Sequence, residues 1–576
     1  MASDLVVQFG GILEQPTIFP EEKGRVNVTV KNQGDTSVSG PVNLKLYAST
    51  DNQLERDNLN TLGPRGAKDP LRGTDELLGT LQNQNINLAP GQSKIFTLDF
   101  AGSEFRTASV VSPGLYYLVA EVEPGNNVVD SNRGNNTSNQ LITQGDVVIQ
   151  WNSILLNAIQ ATGKGELRGT APTLAARNQA IVHAAIYDAV NSIEQASGRG
   201  NTAYLPNLNI TTQTAGASQE AAAVEAAYRT LVPLFVDTNR ASNPQLAATL
   251  QAEFDAQRNR TLAAIPNGSA KDRGIAIGQT VANQILNDRQ NDGSDQAQTP
   301  YTEGVAPGSF RRIPAELQPN PENVRPPNDP LAPGWHRVQP FAIDSVSSFR
   351  PAGPPEFGSP DYARDINEVR VKGGLQDTAA TKIDRTFDQT EVAQFWAYDR
   401  DDTFRPPGQL NEVAQEVALA KGNTLAQNAR LFALLNIAQA DASIVGWDAK
   451  YIYNQLRPIT AIQNGDTDNN PDTTADKDWR SLLATPNFPD YVSGHSLFGG
   501  ASTRILELFY GSDNFNFDLP SQELPGVARS YTKFSQVAQE DALSRLYGGI
   551  HIDLATVDGV KLGQNVADSV FNSVLT

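Results

Sequence analysis

Cysteine is absent from this 576-residue chain, and Met1 is its single methionine. The first absence excludes disulfides, thiolate catalysis and cysteine-ligated zinc or iron–sulfur sites. Both suit a chemistry that would attack sulfur, although drift accounts for them equally well. Histidine is scarce too, with four in the chain, so an imidazole inside a polar motif stands out. No apolar run approaches the roughly 18 residues a membrane helix needs. The opening Met-Ala-Ser-Asp carries neither the basic segment nor the apolar stretch of a signal peptide. The chain is therefore expected to be soluble, either cytoplasmic or exported by another route. Cations are in deficit, with a formal net charge of −19. That excludes binding nucleic acid through broad electrostatics. It also means that any anion site must be a local cation cluster working against the field of the whole protein.

What is present divides into two kinds of periodicity. Residues 1–145 alternate as short strands at Val26–Val30, Val42–Tyr47, Lys94–Phe100 and Leu115–Val122. Turn signals separate them at Asn32-Gln33-Gly34, Pro90-Gly91, Pro113-Gly114 and Gly125-Asn126. Short strands so punctuated predict an all-β, immunoglobulin-like sandwich. From 146 to 576 the period becomes helical, so this part is expected to be an all-α domain of packed bundles. Helical stretches are predicted around Trp151–Ile159, Ala171–Val190, Ala215–Phe235, Ala247–Ile265 and Ala270–Asp288, with Pro172 in a first turn. The Pro- and Gly-rich segment 291–361 also contains Trp335, Phe341, Phe349 and Phe357. A flexible linker would lack such rings, so the segment is expected to lie extended over the helical core. Helices resume near Asp365, and Leu431, Leu434, Leu435, Ala438, Ala442 and Val445 share one face. A last helix is predicted over about Val557–Val574. His183, among apolar neighbours, reads as a core histidine, and His336 as a surface or packing residue.

Three short blocks between 447 and 551 gather the chemistry. They are Lys450 with Arg457-Pro458, then Ser493-Gly494-His495, then Ser544-Arg545 with His551. Singly, each fits a solvated helix or a loop. Jointly they supply three cations, a hydroxyl, an unobstructed backbone N–H and two imidazoles, a set suited to a tetrahedral oxyanion. Ser493 lacks the Gly-x-Ser-x-Gly elbow of a serine hydrolase, and no His-Glu-x-x-His marks a zinc peptidase.

In this order and spacing the blocks resemble the signature shared by vanadium-dependent haloperoxidases and related acid phosphatases, Lys-x6-Arg-Pro, Pro-Ser-Gly-His and Ser-Arg-x5-His. The likeness to the bacterial haloperoxidase branch extends over roughly residues 147–576. It includes the helix at Trp151, the segments Gln339–Ile343 and Arg350–Pro355, and Gly446–Lys450. Residues 1–145, with Asp130–Asn136, resemble the adhesion-type modules called CARDB, for which a docking or packing role and a passive one are weighed alike. The resemblance implies vanadate as cofactor, with His551 as the vanadium's axial ligand. Lys450, Arg457, Ser493, Gly494 and Arg545 would hold the equatorial oxygens. His495 would be the acid–base group, with Lys450 and Arg545 completing the catalytic set. It also implies hydrogen peroxide, a halide and small organic molecules as substrates, and a homo-oligomer, dimer or higher. Trp447 and Phe488 match the aromatic positions of the halide pocket, and bromide is the expected halide, with chloride or iodide open. The alternatives are an acid phosphatase using the same pocket, or a scaffold or adhesion protein without catalysis.

Two departures stand out. Val492 replaces the usual proline before Ser493, and Ala555 occupies the place of an aspartate often found four residues after the ligand histidine. Such a carboxylate would orient the imidazole, leaving Asp553, Asp558 or a backbone carbonyl as substitutes. Asp466–Asp472 alternates oxygen donors like a calcium loop. It lacks the glycine and glutamate of that motif, and so reads as a solvated acidic loop rather than a calcium site.

Overall fold

The computed structural model describes residues 2–9, 23–49, 76–101, 115–143, 146–164, 169–318, 329–524 and 527–576. Two compact units emerge: Met1–Asn157 with Gln251–Pro266 and Gln415–Leu425, and Ala158–Leu250 with Asn267–Ala414 and Ala426–Thr576.

The first unit contains the sandwich. Strands β1 (Leu5–Phe9), β2 (Lys23–Asn32) and β5 (Ser93–Ala101) form one antiparallel sheet, ordered β1-β2-β5. Strands β3 (Val38–Ser49), β4 (Glu76–Leu88), β6 (Leu115–Pro124) and β7 (Thr137–Thr143) form the other, ordered β4-β3-β6-β7. Alternation does what the sequence predicts. Val26, Val28 and Val30 join Val42, Leu44 and Leu46 in one buried cluster, with Leu118, Ala120 and Val122 from β6. Strands β1, β4 and β7 lie outside the four strands predicted. The turn expected at Pro113-Gly114 lies outside the described residues. The Asp130–Asn136 stretch is a structural staple. Asp130 accepts the Leu5 N–H at 3.1 Å and the Asn136 amide at 2.9 Å, tying the loop to β1.

Helices begin at α1 (Val147–Ala161), followed by α2 (Pro172–Ala196), α3 (Gln219–Leu231), α4 (Pro244–Ala264) and α5 (Ser269–Arg289). Pro172 opens α2 as predicted. His183 is fully buried, stacks on Phe432 at 5.2 Å, and is pushed down to a pKa of about 3 by desolvation. It is the core histidine the sequence suggests.

After α6 (Pro360–Gly373), α7 (Phe387–Phe395) and α8 (Arg405–Lys421) comes α9 (Leu425–Tyr453), the 29-residue axis of the second unit. The Pro-rich segment runs along it. The Asp441 carboxylate accepts three successive N–H groups, of Phe341, Ala342 and Ile343, at 2.6–3.0 Å. Trp335 donates to Ser443 at 2.9 Å, and Arg350 grips Asp448 with two bonds. Trp335 and Phe341 are buried, whereas Phe349 and Phe357 are half-buried. The segment is therefore anchored as much by α9's polar groups as by its own rings.

The chain closes with α10 (Pro458–Gln463), α11 (Gly494–Tyr510), α12 (Phe534–Tyr547) and α13 (Asp553–Ser573). An antiparallel hairpin, β8 (Asn514–Pro520) with β9 (Ala528–Lys533), interrupts this helical region and packs Phe517 on Tyr531 at 5.6 Å. Helical periodicity gave no hint of it. Gly563 lets α13 cross α11 backbone to backbone, since a Cβ there would strike the Leu497 carbonyl. In the Asp466–Asp472 loop, Asp468 is buried and takes the Thr473 hydroxyl at 2.7 Å from both carboxylate oxygens. Among the described residues no helix is long and apolar enough to cross a membrane.

Candidate active site

Each block sits where an element ends. Lys450 lies in the last turn of α9, which stops at Asn454 with a left-handed φ of 49°. Asparagine tolerates that conformation, and its side-chain oxygen accepts the Tyr301 hydroxyl at 2.7 Å. Arg457 caps α10, with Pro458 in the first-turn position that needs no N–H donor. Ser493 caps α11, accepting from the Ser496 N–H, so the Gly494 N–H points out of a helix start where no intrahelical acceptor reaches it. Arg545 lies in the last turn of α12. The chain then reverses at Gly549, whose φ of 75° a side chain would resist, and delivers His551 back toward α10.

The structure brings all of the sequence-predicted groups together. Lys450, Arg457, Ser493 and Arg545 are completely buried, and His495 and His551 nearly so. Arg457 Nη1 donates to the Ile550 carbonyl at 2.8 Å and lies 3.1 Å from His551 Nε2. Its Nε donates to the Phe488 carbonyl at 2.6 Å, while Nη2 is buried without a partner. Arg545 donates to Asp399 at 3.1 Å and to the Trp396 carbonyl at 2.7 Å. Lys450 differs from expectation. Its Nζ serves three carbonyls, of Pro489, Asp490 and Val492, so contact with an oxyanion requires exchanging one of those bonds. As it stands, it braces the loop that ends in Ser493.

Electrostatics follow from burial. Desolvation pulls Lys450 well below the ordinary lysine value, and Arg457 down to about 10. His495 is held well below 6.5 by desolvation and by Arg545. His551 is also held well below 6.5, by desolvation and then by Arg457. Both rings are thus neutral near pH 7. His495 Nε2 lies 3.1 Å from the Ala397 carbonyl, to which only a protonated nitrogen can donate, leaving Nδ1 as its basic atom.

The aromatic pair lies directly on the cations. Trp447 and Phe488 are 5.4 Å apart between ring centroids. Phe488 is 4.8 Å from Lys450 Nζ and 4.7 Å from Arg457 Cζ. Trp447 is fixed by its N–H to the Leu331 carbonyl at 3.1 Å.

The search for a carboxylate beside His551 needs correction. Asp558 accepts the Tyr491 hydroxyl at 2.6 Å, and Asp553 faces the charge of Arg364. The carboxylate beside the ring is Asp490, whose Oδ1 lies 2.5 Å from His551 Nδ1. Sequence reasoning missed it, as it missed Asp399. The available signal for Asp490 was its place three residues before Ser493, just ahead of the second block. Asp399 sits in the acidic run Asp399-Arg400-Asp401-Asp402 and carries no such marker.

Comparison with known proteins bears on the family. Residues 430–576 match the family model of the VCPO second helical-bundle domain, and residues 143–342 that of the vanadium chloroperoxidase N-terminal domain. Residues 2–140 match CARDB. The vanadium chloroperoxidase of Curvularia inaequalis is 26% identical over 494 residues, covering 70% of this chain and 78% of its own. Among solved structures, one titled the first bacterial vanadium-dependent iodoperoxidase aligns with a TM-score of 0.56 and 26% identity. It covers 73% of this chain and 93% of that one. A holo-type bacterial vanadium-dependent chloroperoxidase shares the fold, with a TM-score of 0.51 at 16% identity over 72% of this chain and 95% of its own. In its helical part the chain belongs to the vanadium-dependent haloperoxidase family, and a CARDB module precedes that part.

Proposed function

We propose that this protein is a vanadate-dependent haloperoxidase. It would oxidise bromide with hydrogen peroxide to a hypohalous acid equivalent that halogenates small organic molecules. The observation that carries this reading is the convergence of Lys450, Arg457, Arg545, His495 and His551 with the opening of α11 in one buried cluster.

The donor set fits an oxyanion. Arg457 Nη2 is a buried donor without an acceptor, the Gly494 N–H opens a helix, and His551 offers Nε2. Burial raises the nearby Asp490 and Asp541 to about 7, so the carboxylates only partly balance the cations. An oxyanion would redress that imbalance. In this reading His551 Nε2 would hold the vanadium. Arg457, Arg545, Ser493, the Gly494 N–H and Lys450 would hold its oxygens. Bound vanadate supplies a Lewis-acid centre that activates peroxide without changing oxidation state.

The chain's own groups do the rest. His495, neutral and with Nδ1 open, takes the proton that hydrogen peroxide gives up and returns one when the product leaves. Arg545, held by Asp399, and Arg457, held by the Phe488 and Ile550 carbonyls, stabilise charge without moving. Lys450 polarises the oxidant. Trp447 and Phe488 form the wall that takes the halide and keeps water away, and bromide is favoured over chloride because it is easier to oxidise. We take residues 1–145 as a separate CARDB domain and 146–576 as the catalytic one, assembled as a dimer or higher oligomer.

The test is bromide oxidation by peroxide on metal-stripped protein, before and after adding orthovanadate, with phosphate as competitor. Activity restored by vanadate and suppressed by phosphate supports the reading. Hydrolysis of an aryl phosphate without halide oxidation moves it to a phosphatase, and silence in both assays to a scaffold.

A further inference from the structure

We propose that Asp490 is the positioning residue for His551, fixing which ring nitrogen carries the proton and so keeping the lone pair on Nε2, where a ligand would exchange with Arg457 Nη1. This rests on the proposed vanadate site only for its purpose; the geometry stands without it.

The carboxylate is itself held on several sides. Asp490 is fully buried, and its Oδ2 accepts the Ile552 N–H at 3.4 Å. Its backbone N–H donates to the Gln455 carbonyl at 3.0 Å, and its own carbonyl accepts from Lys450 at 3.1 Å. Oδ1 lies 2.5 Å from His551 Nδ1, a close approach rather than a well-angled hydrogen bond, and 3.7 Å from Arg457 Nη1, and no hydrogen bond claims either Oδ1 or Nδ1. On the far side of the ring, Nε2 lies 3.1 Å from Arg457 Nη1, a group that can only donate. The two contacts agree on one tautomer, Nδ1–H toward Asp490 and a lone pair on Nε2 toward Arg457. An imidazole so held is oriented and made a better ligand by the carboxylate behind it. Four residues after the histidine, Ala555 is buried and has no side-chain polar atom to offer, though its carbonyl is used by the Ser493 N–H at 2.9 Å. The orienting group thus comes from the loop of the second block. One stretch of chain, 490–495, carries the support of the histidine, two of the proposed oxyanion contacts (Ser493 and Gly494) and the acid–base ring.

The first measurement is made on the unliganded wild-type protein. With four histidines in the chain, selective imidazole ¹⁵N labelling reads each ring's tautomer. His551 is assigned by loss of its signals in His551→Ala. The expected result is a protonated Nδ1 and a pyridine-like Nε2; a proton on Nε2 overturns the proposal, whatever the variants do. The second measurement is calorimetric affinity for orthovanadate in Asp490→Asn and Asp490→Glu, with circular dichroism as the check on folding. Asp490→Asn is expected to lose about 10- to 100-fold in affinity and to mix the His551 tautomers, and Asp490→Glu to recover part of both. Wild-type tautomer and affinity within twofold in a folded Asp490→Asn would overturn the assignment. A wild-type protein with the expected tautomer but no orthovanadate binding would sink the proposed function and leave the role of Asp490 in place.

Discussion

Arg457 Nη1 lies 3.1 Å from His551 Nε2, so a guanidinium from the first block meets an imidazole from the third in the buried site. The same side chain has one buried donor, Nη2, without an acceptor. Arg457→Lys keeps the charge but loses the planar fork that grips two oxygens at once. Orthophosphate affinity of the metal-free protein should fall about tenfold or more, read by isothermal titration calorimetry. Unchanged affinity would remove Arg457 from the oxyanion set.

Lys450 and His551 should fail differently when removed. Lys450 satisfies three buried carbonyls, and a buried acceptor left without a donor costs about 1–3 kcal/mol. Lys450→Met should therefore lower Tm by several degrees and abolish halide oxidation as well. His551→Ala removes a ring whose links are to Arg457 and Asp490, and should abolish halide oxidation with a smaller change in Tm. Thermal denaturation beside a bromide-oxidation assay separates the two, and activity surviving both substitutions would end the site assignment.

The aromatic wall predicts a kinetic signature. Phe488 touches Trp447 and both neighbouring cations through its ring, contacts worth about 0.5–2 kcal/mol apiece when desolvated. Phe488→Ala should raise KM for bromide several-fold while leaving orthophosphate affinity within about threefold, since no oxyanion donor is lost. Steady-state kinetics at saturating peroxide decides it: a KM that does not move would place the halide elsewhere.

Where the sequence was legible, one local rule decided the structure. Val26, Val28 and Val30 alternate, and a half-buried strand needs little more. The run from Leu431 to Val445 follows helical spacing and so delivers Trp447 and Lys450 on a rigid axis. The three blocks were legible because cations and scarce histidines recur at fixed spacing. What escaped depends on contacts far apart in the chain. The β8–β9 hairpin is short and owes its place to rings such as Phe517 and Tyr531 packing together. Asp399 becomes significant only by reaching Arg545, 146 residues later. Asp490 lies just ahead of the second block, yet its role becomes visible only once the Gly549 turn brings His551 back to it.

The share of stability that Glu412 carries should fall as pH rises through the neutral range, while the buried neutral His183, His495 and His551 act with the opposite sign near 6.5. The Glu412 carboxyl is almost fully buried on α8, with the Tyr398 hydroxyl 3.5 Å away as its hydrogen-bond partner, and burial pushes its pKa up to about 8. The unfolded chain holds the same group near its ordinary 4.5. Below that value both states keep the proton and the fold bears no penalty. Between about 4.5 and 8 the unfolded chain has released its proton and the folded one has not, so each step up in pH favours unfolding. Asp188 and Asp541, raised to about 7, and Asp441, raised to about 6, act with the same sign. Glu412→Gln keeps shape and hydrogen-bonding capacity but removes the titration. Its Tm relative to the wild type's should climb steadily from pH 5 to 8, whatever slope the remaining carboxyls and the histidines give both proteins. Calorimetric scans of both proteins at several pH values make the comparison. Parallel Tm profiles would mean that Glu412 is already ionised in the folded protein, with its charge balanced by something other than the Tyr398 hydroxyl.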